Sequence, residues 1–233
     1  MGLIPEGRKQ LVQTELNAKL TDKIKVIVFT QENECALCRE TRELVEEVGH
    51  LCDKIEVAVY DFERDKEQAA LYKVDKVPAI VLLEEKDYGI CRNVETFSAC
   101  ARIHYYGLPF GYEFQTFMED LVAVSSGNSG LSEEIKAKLK TIDKPVHIQV
   151  FVTLTCPYCP VIASMAHKFA MESNLITADV IDANEFPQIG IKYNVIGVPK
   201  TVINETVEFV GVVSESALVD HVLEALNISQ KKN

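Results

Sequence analysis

VHIQVFVTLTCPYC (residues 146–159) begins with a largely apolar run, residues 146–152. Three residues later come two cysteines that are separated by two positions. A continuous apolar run of this length, closed by polar residues, is typical of a buried strand. A cysteine pair at the start of the following helix is typical of a redox dithiol, because the helix N-terminus stabilises a thiolate on the first cysteine. The second cysteine then lies close enough to form a disulfide. This stretch therefore predicts a dithiol site between a strand and a helix beginning at Cys156.

The same arrangement occurs earlier in the chain, where the apolar run 24–29 precedes Cys35-Ala36-Leu37-Cys38. In both copies a Val-Pro pair follows, with its proline 43 residues after the first cysteine. At a constant offset of 121, the residues that match are Cys35, Cys38, Asp61, Tyr72, Val74, Val77 and Pro78 with Cys156, Cys159, Asp182, Tyr193, Val195, Val198 and Pro199. Self-similarity over about a hundred residues indicates a duplicated domain.

Each half predicts a helix, a strand, the dithiol helix, a second strand, a short helix, further strands and a last helix. This order predicts an α/β fold with a mixed sheet flanked by helices. The small polar residues 125–130 predict a linker between an N-terminal domain, residues 1–124, and a C-terminal domain, residues 131–233. The first half carries 17 extra residues near 84–104. The simplest interpretation is that these residues lengthen a surface loop.

The composition restricts the functions that this chain can have. The 233 residues carry a formal net charge of −11, which argues against binding to nucleic acid or to anionic membrane surfaces. No apolar stretch approaches the ~20 residues that span a bilayer. The first nine residues lack the apolar segment of a secretory signal. We therefore expect a cytoplasmic protein that binds neither nucleic acid nor membranes.

The remaining cysteines have several interpretations. Four of the seven cysteines belong to the two motifs, which leaves Cys52, Cys91 and Cys100. We hypothesise a structural disulfide between Cys91 and Cys100 within the insert, with two free thiols or a pairing with Cys52 as alternatives. The two motifs together could supply four thiolates for zinc. We expect no metal, because each pair opens an apolar-faced helix after a buried strand.

With this order of motifs, each half resembles the thioredoxin/glutaredoxin superfamily. The two halves, the Cys-Pro-Tyr-Cys motif and the Tyr-Gly-Leu-Pro sequence at 106–109 together resemble the protein disulfide oxidoreductases of thermophilic archaea and bacteria. The resemblance implies two tandem thioredoxin-like domains and an enzyme that reduces, forms or isomerises protein disulfides without a bound cofactor. It also implies roles for eight residues: nucleophiles Cys35 and Cys156, resolving thiols Cys38 and Cys159, substrate-facing cis prolines Pro78 and Pro199, and backbone contacts from Val77 and Val198.

Two features depart from the related families. Thioredoxins carry a tryptophan before the motif and a buried aspartate in the preceding strand, whereas this chain has no tryptophan and has Val28 and Val150 at the strand position. The proton acceptor for the resolving thiol is therefore unassigned at this point. A glutaredoxin-like pair of glycines after the second proline is also missing, since only Gly211 is present, which argues against glutathione binding.

Other functions stay open on the sequence alone. The chain could carry electrons from a thioredoxin-reductase-like flavoprotein to a peroxiredoxin or other reductases. It could resemble the N-terminal module of alkyl hydroperoxide reductase flavoproteins, but that module keeps one dithiol, and no nucleotide-binding domain follows Asn233 here. It could be a non-catalytic binding or chaperone module, and the Cys35 pair could be structural. Glu32 and Glu34 disfavour a thiolate on Cys35, so we predict that Cys156 is the more reactive nucleophile.

Overall fold

A computed structural model of the chain describes residues 2–84 and 101–231. Its helices are α1 Glu6–Lys19, α2 Cys38–Gly49, α3 Lys66–Leu71, α4 Glu113–Ser126, α5 Glu133–Leu139, α6 Cys159–Glu172, α7 Pro187–Lys192 and α8 Glu215–Lys231. Its strands are β1 Ile24–Thr30, β2 Ile55–Asp61, β3 Ala79–Glu84, β4 Ile103–Tyr106, β5 Val146–Val152, β6 Ile176–Asp182, β7 Lys200–Ile203 and β8 Val207–Val210.

The strands form one mixed sheet with the order β2-β1-β3-β4-β6-β5-β7-β8. The second half repeats the strand order of the first, as expected for a duplicated unit. The two four-stranded halves join through parallel pairing of β4 with β6, from Ile103 opposite Ala178 to Tyr106 opposite Ile181. Because β4 also pairs with β3, it has a neighbouring strand on both sides and is an interior strand. Its counterpart in the second half, β8, has one neighbour and lies at an edge of the sheet.

Side chains that alternate along each strand supply two cores, one on each face of the sheet. Val26 and Val28 of β1 belong to the larger core, which also contains residues of the six longer helices. Ile27 and Phe29 belong to the smaller core, where the short helices α3 and α7 pack. Burying side chains of this size contributes about 1.5–3 kcal/mol each. The alternating directions of the side chains along each strand therefore place the sheet between two layers of helices.

The helices after the two motifs begin later than the sequence suggested. We predicted helices that open on Cys35 and Cys156, but α2 begins at Cys38 and α6 at Cys159. The first cysteine of each pair therefore lies in the turn before the helix. The physical reason is that the first amide groups of a helix have no partner within the helix. A sulfur placed just before the helix can accept a hydrogen bond from them.

The segment between the halves is more ordered at its start than its composition suggested. Ser125 and Ser126, which we assigned to the linker, are the last residues of α4. Ser125 is buried, and its hydroxyl donates to the Asp22 carbonyl at 2.6 Å and accepts from the Thr21 amide at 3.0 Å. Gly127, with φ +61°, ends the helix in the left-handed conformation that glycine favours. The division into two domains at residues 125–130 stays a prediction.

Two further expectations concern the remaining cysteines and membranes. Cys52 is buried and is not in a disulfide, whereas the hypothesised Cys91–Cys100 disulfide lies outside the described residues. Across 2–84 and 101–231, no helix is both long enough and apolar enough to cross a membrane.

A buried carboxylate with two histidines lies at the seam between the halves. Asp179 on β6 is 3.1 Å from the Nδ1 atom of His104 on β4 and 2.7 Å from the Nε2 atom of His147 on β5. Burial alone would raise the pKa of Asp179, but its contacts with His104 and His147 outweigh this effect and hold the pKa well below its ordinary range. For His147, burial lowers the pKa and the bond to Asp179 raises it, with a net rise.

We expect Asp179→Ala to lower the free energy of unfolding by about 3 kcal/mol, because it leaves the buried His104 and the partly exposed His147 without their carboxylate. A carboxyl with a lowered pKa stabilises the fold above its unfolded pKa of about 4, and a histidine with a raised pKa stabilises it below about 6.5. The difference from the wild type should therefore be largest between these pH values. Urea unfolding from pH 3 to 9 measures it, with the exposed Asp220→Ala as control. A uniform loss at every pH would contradict the electrostatic explanation.

Candidate active site

Two disulfides lie at equivalent places in the two halves, each after the C-terminal end of a strand, and both lie on the same side of the sheet. Cys35–Cys38 follows β1 and Cys156–Cys159 follows β5, and the Cα atoms are 5.5 Å apart in both pairs. The second cysteine of each pair is the first residue of a helix and is buried. The structure therefore shows each motif as a pair that can cycle between a disulfide and a dithiol.

The C-terminal pair has a hydrogen bond from the helix to its first sulfur. The backbone amide of Cys159 donates to the Sγ atom of Cys156 at 3.1 Å. This donor is one of the unpaired amides at the helix N-terminus, where partial positive charge favours an anion. A thiolate on Cys156 is stabilised at this position as soon as the disulfide opens.

The N-terminal pair has a different environment. Here the backbone amide of Gln31 donates to the Sγ atom of the second cysteine, Cys38, at 3.4 Å. Cys35 is partly exposed, and it opens onto a groove of about 580 Å³ that is lined mainly by polar and charged side chains. The two dithiols therefore share a backbone arrangement and differ in their electrostatic surroundings.

The two prolines lie beside the dithiols, as the sequence suggested. Val77-Pro78 and Val198-Pro199 are both cis peptide bonds, which confirms that prediction. Pro78 precedes β3, whose first residue is opposite Phe29 near the end of β1, and Pro199 precedes β7 in the same relation to Phe151 of β5. The sheet register thus brings each proline to the strand end from which its cysteine motif departs.

Glu113 is a candidate that the sequence analysis missed. It is the first residue of α4, its exposed fraction is 2%, and neither carboxylate oxygen has a hydrogen-bond partner within the described part of the chain. Burial raises the pKa of Glu113 to about 7. The preceding residue, Tyr112, donates its amide to the carbonyl of Leu154 at 3.2 Å, two residues before Cys156. The backbone next to this buried carboxylate is therefore bonded to the segment that leads into the C-terminal dithiol.

The sequence signal for this residue was weak. Acidic residues are common in the first turn of a helix, where they are exposed and interact with the dipole. Glu113 opens such a helix in the first half of the chain, and its position beside the site of the second half depends on the loop that crosses between them. We also find no group of three or more histidine, cysteine or acidic residues placed to hold a metal ion in residues 2–84 and 101–231.

Comparisons with known proteins agree with this geometry. A family described as "Thioredoxin domain" matches residues 146–224. Thioredoxin from Methanocaldococcus jannaschii is 33% identical over 82 residues, which are 35% of this chain and 96% of that protein. An alkyl hydroperoxide reductase from Staphylococcus epidermidis is 29% identical over 84 residues, which are 36% of this chain and 17% of that protein. The matched segment therefore corresponds to less than a fifth of that second relative.

Solved structures extend the likeness to both halves. A protein disulfide oxidoreductase from Aeropyrum pernix superposes with a TM-score of 0.83 and 28% identity, covering 94% of this chain and 91% of that one. An alkyl hydroperoxide reductase from Enterococcus faecalis superposes with a TM-score of 0.81 and 22% identity, covering 94% and 99% of the chains, which shows a common fold.

The tandem thioredoxin folds and the paired dithiols define a class of redox protein. The chain belongs to the thioredoxin family, and its tandem fold is similar to that of the Aeropyrum pernix protein. It is accordingly a thiol–disulfide oxidoreductase with two sites that can form disulfides, Cys35–Cys38 and Cys156–Cys159. This agrees with the first expectation from the sequence, an enzyme, and not with a non-catalytic binding module.

Proposed function

We propose that the chain exchanges disulfides with other proteins mainly at its C-terminal dithiol, with Cys156 as the nucleophile and Cys159 as the resolving thiol. The observation that supports these roles best is the hydrogen bond from the Cys159 amide to the Cys156 sulfur. It favours negative charge on the first sulfur, whereas the second sulfur is fully buried behind it. Cys156 keeps an exposed fraction of 8% and Cys159 has none, so a partner disulfide can reach Cys156 and not Cys159.

The reduction of a substrate proceeds in two exchanges. The Cys156 thiolate attacks one sulfur of the substrate disulfide, the substrate S–S bond breaks, and the other substrate sulfur leaves as a thiolate. The Cys159 thiolate then attacks the Cys156 sulfur, which releases the second substrate thiolate and leaves the Cys156–Cys159 disulfide. Two electrons pass from the protein to the substrate, and the reverse sequence oxidises a substrate dithiol.

We assign the proton transfers of the second exchange to Glu113. Cys159 must lose its thiol proton before it attacks, and it lies in a site that excludes water. A carboxyl group whose pKa is about 7 is poised to accept a proton at neutral pH and to return it in the reverse reaction. For the C-terminal site, this assignment fills the role that was left open by Val150 at the aspartate position of thioredoxins.

The surface around Cys156 supports a polypeptide as the substrate. Tyr158, Val161 and Ile196 are exposed apolar side chains around the dithiol and the Val198-Pro199 bond, with exposed fractions of 68%, 50% and 89%. Exposed apolar patches of this kind mark interaction sites. An extended segment of the partner could pair with the backbone of Val198, and the side chains around it would supply the apolar contact.

A second candidate function is electron transfer between redox proteins. It rests on the similarity to the alkyl hydroperoxide reductase of Staphylococcus epidermidis, which is 29% identical over 84 residues. In this role a thioredoxin-reductase-like flavoprotein would reduce the dithiols, and a peroxiredoxin would oxidise them. A coupled assay with such a flavoprotein, NADPH and a peroxiredoxin tests this function. If NADPH is consumed no faster with this chain than in a control assay without it, the chain does not transfer electrons between these proteins. The cytoplasmic location stays a prediction.

The Cys159→Ser variant tests the assigned order of the two cysteines. We expect it to accumulate a mixed disulfide between Cys156 and a substrate protein, because the resolving attack is lost while the nucleophile remains. Non-reducing gels and mass spectrometry of the trapped adduct measure this, with the Cys156→Ser/Cys159→Ser variant as control. An equal yield of adduct from Cys156→Ser alone would show that the roles are reversed.

A further inference from the structure

The loop beside the cis proline is open in the second half and buried in the first. The amides of Gly107 and Gly211 both donate to the carbonyl of the proline in their own half, at 3.1 and 2.8 Å, which makes the two glycines equivalent. Gly107 and the two residues after it are buried, whereas Gly211 is partly exposed and Val212 is 43% exposed. The duplication thus produced two sites with different access.

The second half covers the loop of the first. The amide of Leu108 donates to the Oε1 atom of Glu185 at 2.7 Å. A Cβ atom on Gly107 would lie 2.9 Å from that same oxygen and from the Cβ of Asp182. The strand before this loop, β4, is paired on both of its edges. Within the described residues, the Gly107 loop and β4 therefore offer no free backbone to an extended substrate segment, unlike the Gly211 loop of the second half.

The side chains around the two sites also differ at matched positions. At the offset of 121, the exposed apolar residues Val161 and Ile196 correspond to Glu40 and Asp75. Glu40 is partly exposed and Asp75 is exposed. Two of the three apolar residues that could hold a polypeptide at the C-terminal site are therefore replaced by carboxylates at the N-terminal site, and Tyr158 is replaced by the smaller Leu37.

The groove at Cys35 carries charges of both signs within a small volume. Its 580 Å³ are lined by Arg39, Arg42 and Arg64 together with Glu32, Asp61 and Asp65. Arg64 is 3.7 Å from Glu32, and both are largely exposed, so these charges can exchange their partners for those of a ligand. Guanidinium groups bind carboxylates and carboxylates bind ammonium groups, which matches a ligand that carries both.

We propose that the Cys35–Cys38 site exchanges with small zwitterionic disulfides of the cystine type, and that protein disulfides exchange at Cys156–Cys159. The inference rests on the proposed redox function and adds a division of substrates between the two sites. The Cys35 thiolate attacks one sulfur of the small disulfide and expels one amino-acid thiolate. The Cys38 thiolate then attacks the Cys35 sulfur and expels the second, so that the site is oxidised by two electrons and two thiols are formed.

Single-turnover exchange with variants that retain one dithiol tests this division. Cys156→Ser/Cys159→Ser keeps the N-terminal dithiol, and Cys35→Ser/Cys38→Ser keeps the C-terminal one. Each is reduced beforehand, freed of reductant and mixed with cystine, neutral 2-hydroxyethyl disulfide or insulin. Alkylation and mass spectrometry at timed points give the rate of oxidation of each dithiol, and circular dichroism confirms that both variants are folded.

We expect the N-terminal dithiol to prefer cystine over 2-hydroxyethyl disulfide by about tenfold, as a few exposed charge contacts can supply, and to react with insulin at least about tenfold more slowly than the C-terminal dithiol does. Arg64→Gln in the N-terminal variant should reduce the preference for cystine. Equal insulin rates for the two dithiols, or no preference for cystine, would overturn the inference and leave the redox function intact. Failure of the N-terminal dithiol with all three disulfides would remove its redox function, and the inference with it.

Discussion

Cys156→Ser should lower the rate of insulin reduction at least about tenfold, because only the slower N-terminal dithiol remains, whereas Cys35→Ser should lower it less than about threefold. The reason is that Cys156 combines three features in one place: an amide donor at 3.1 Å from its sulfur, a neighbouring cis proline, and an exposed apolar surface. The Cys35 site has the proline, but its first sulfur lacks an equivalent bond among the described residues.

The measurement is the turbidity of reduced insulin with dithiothreitol as the electron donor, corrected for the rate without the protein. Both variants should have the same thermal unfolding midpoint as the wild type within a few degrees, which excludes loss of fold as the cause. A larger loss from Cys35→Ser than from Cys156→Ser would reverse the ranking of the two nucleophiles and would contradict the sequence-based prediction as well.

Glu113→Gln should slow the release of substrate from the mixed disulfide by about 10- to 100-fold at neutral pH, the range that general acid–base catalysis contributes. Burial raises the pKa of Glu113 to about 7, so its carboxylate is lost as the pH falls below about 7. The wild-type release rate should therefore decrease below this pH, and the glutamine variant should show no such step. His167, Asp120 and Asp182 also face Glu113 and are unchanged in the variant.

Stopped-flow measurement of mixed-disulfide decay between pH 5 and 9 provides the test. Glu119→Gln is the matched control, because Glu119 lies on the same helix but is exposed. Removing a charge that is buried without a partner should not destabilise the fold, so a slower reaction would not be due to unfolding. A glutamine variant that keeps the wild-type pH profile would exclude Glu113 as the proton acceptor.

The features that could be predicted from the sequence are those encoded within a few tens of residues. The apolar run before each cysteine pair predicted a buried strand, and the equal spacing to Pro78 and Pro199 predicted a duplicated unit with a proline beside each dithiol. These predictions hold because the formation of a buried strand and the conformation at a proline are determined largely by local sterics and hydrogen bonding.

The first residue of each dithiol helix was not predicted correctly from the sequence. The sequence pattern predicted that the C-terminal dithiol helix begins at Cys156. In the structure it begins three residues later, at Cys159. Local patterns define helix ends to within a few residues. The chemistry depends on that difference, since the amide of Cys159 can donate to the Cys156 sulfur because Cys156 precedes the helix.

The repeat, the two dithiols and the class of redox chemistry could be predicted from the sequence alone, because they follow from short motifs and their spacing. The differences between the two halves arise from tertiary contacts. Pairing of β4 with β6 joins them into one sheet, buries Glu113 near the C-terminal dithiol and covers the Gly107 loop with Glu185. These contacts form between residues about 40 to 80 positions apart, and burial at such a junction depends on packing that no local pattern encodes.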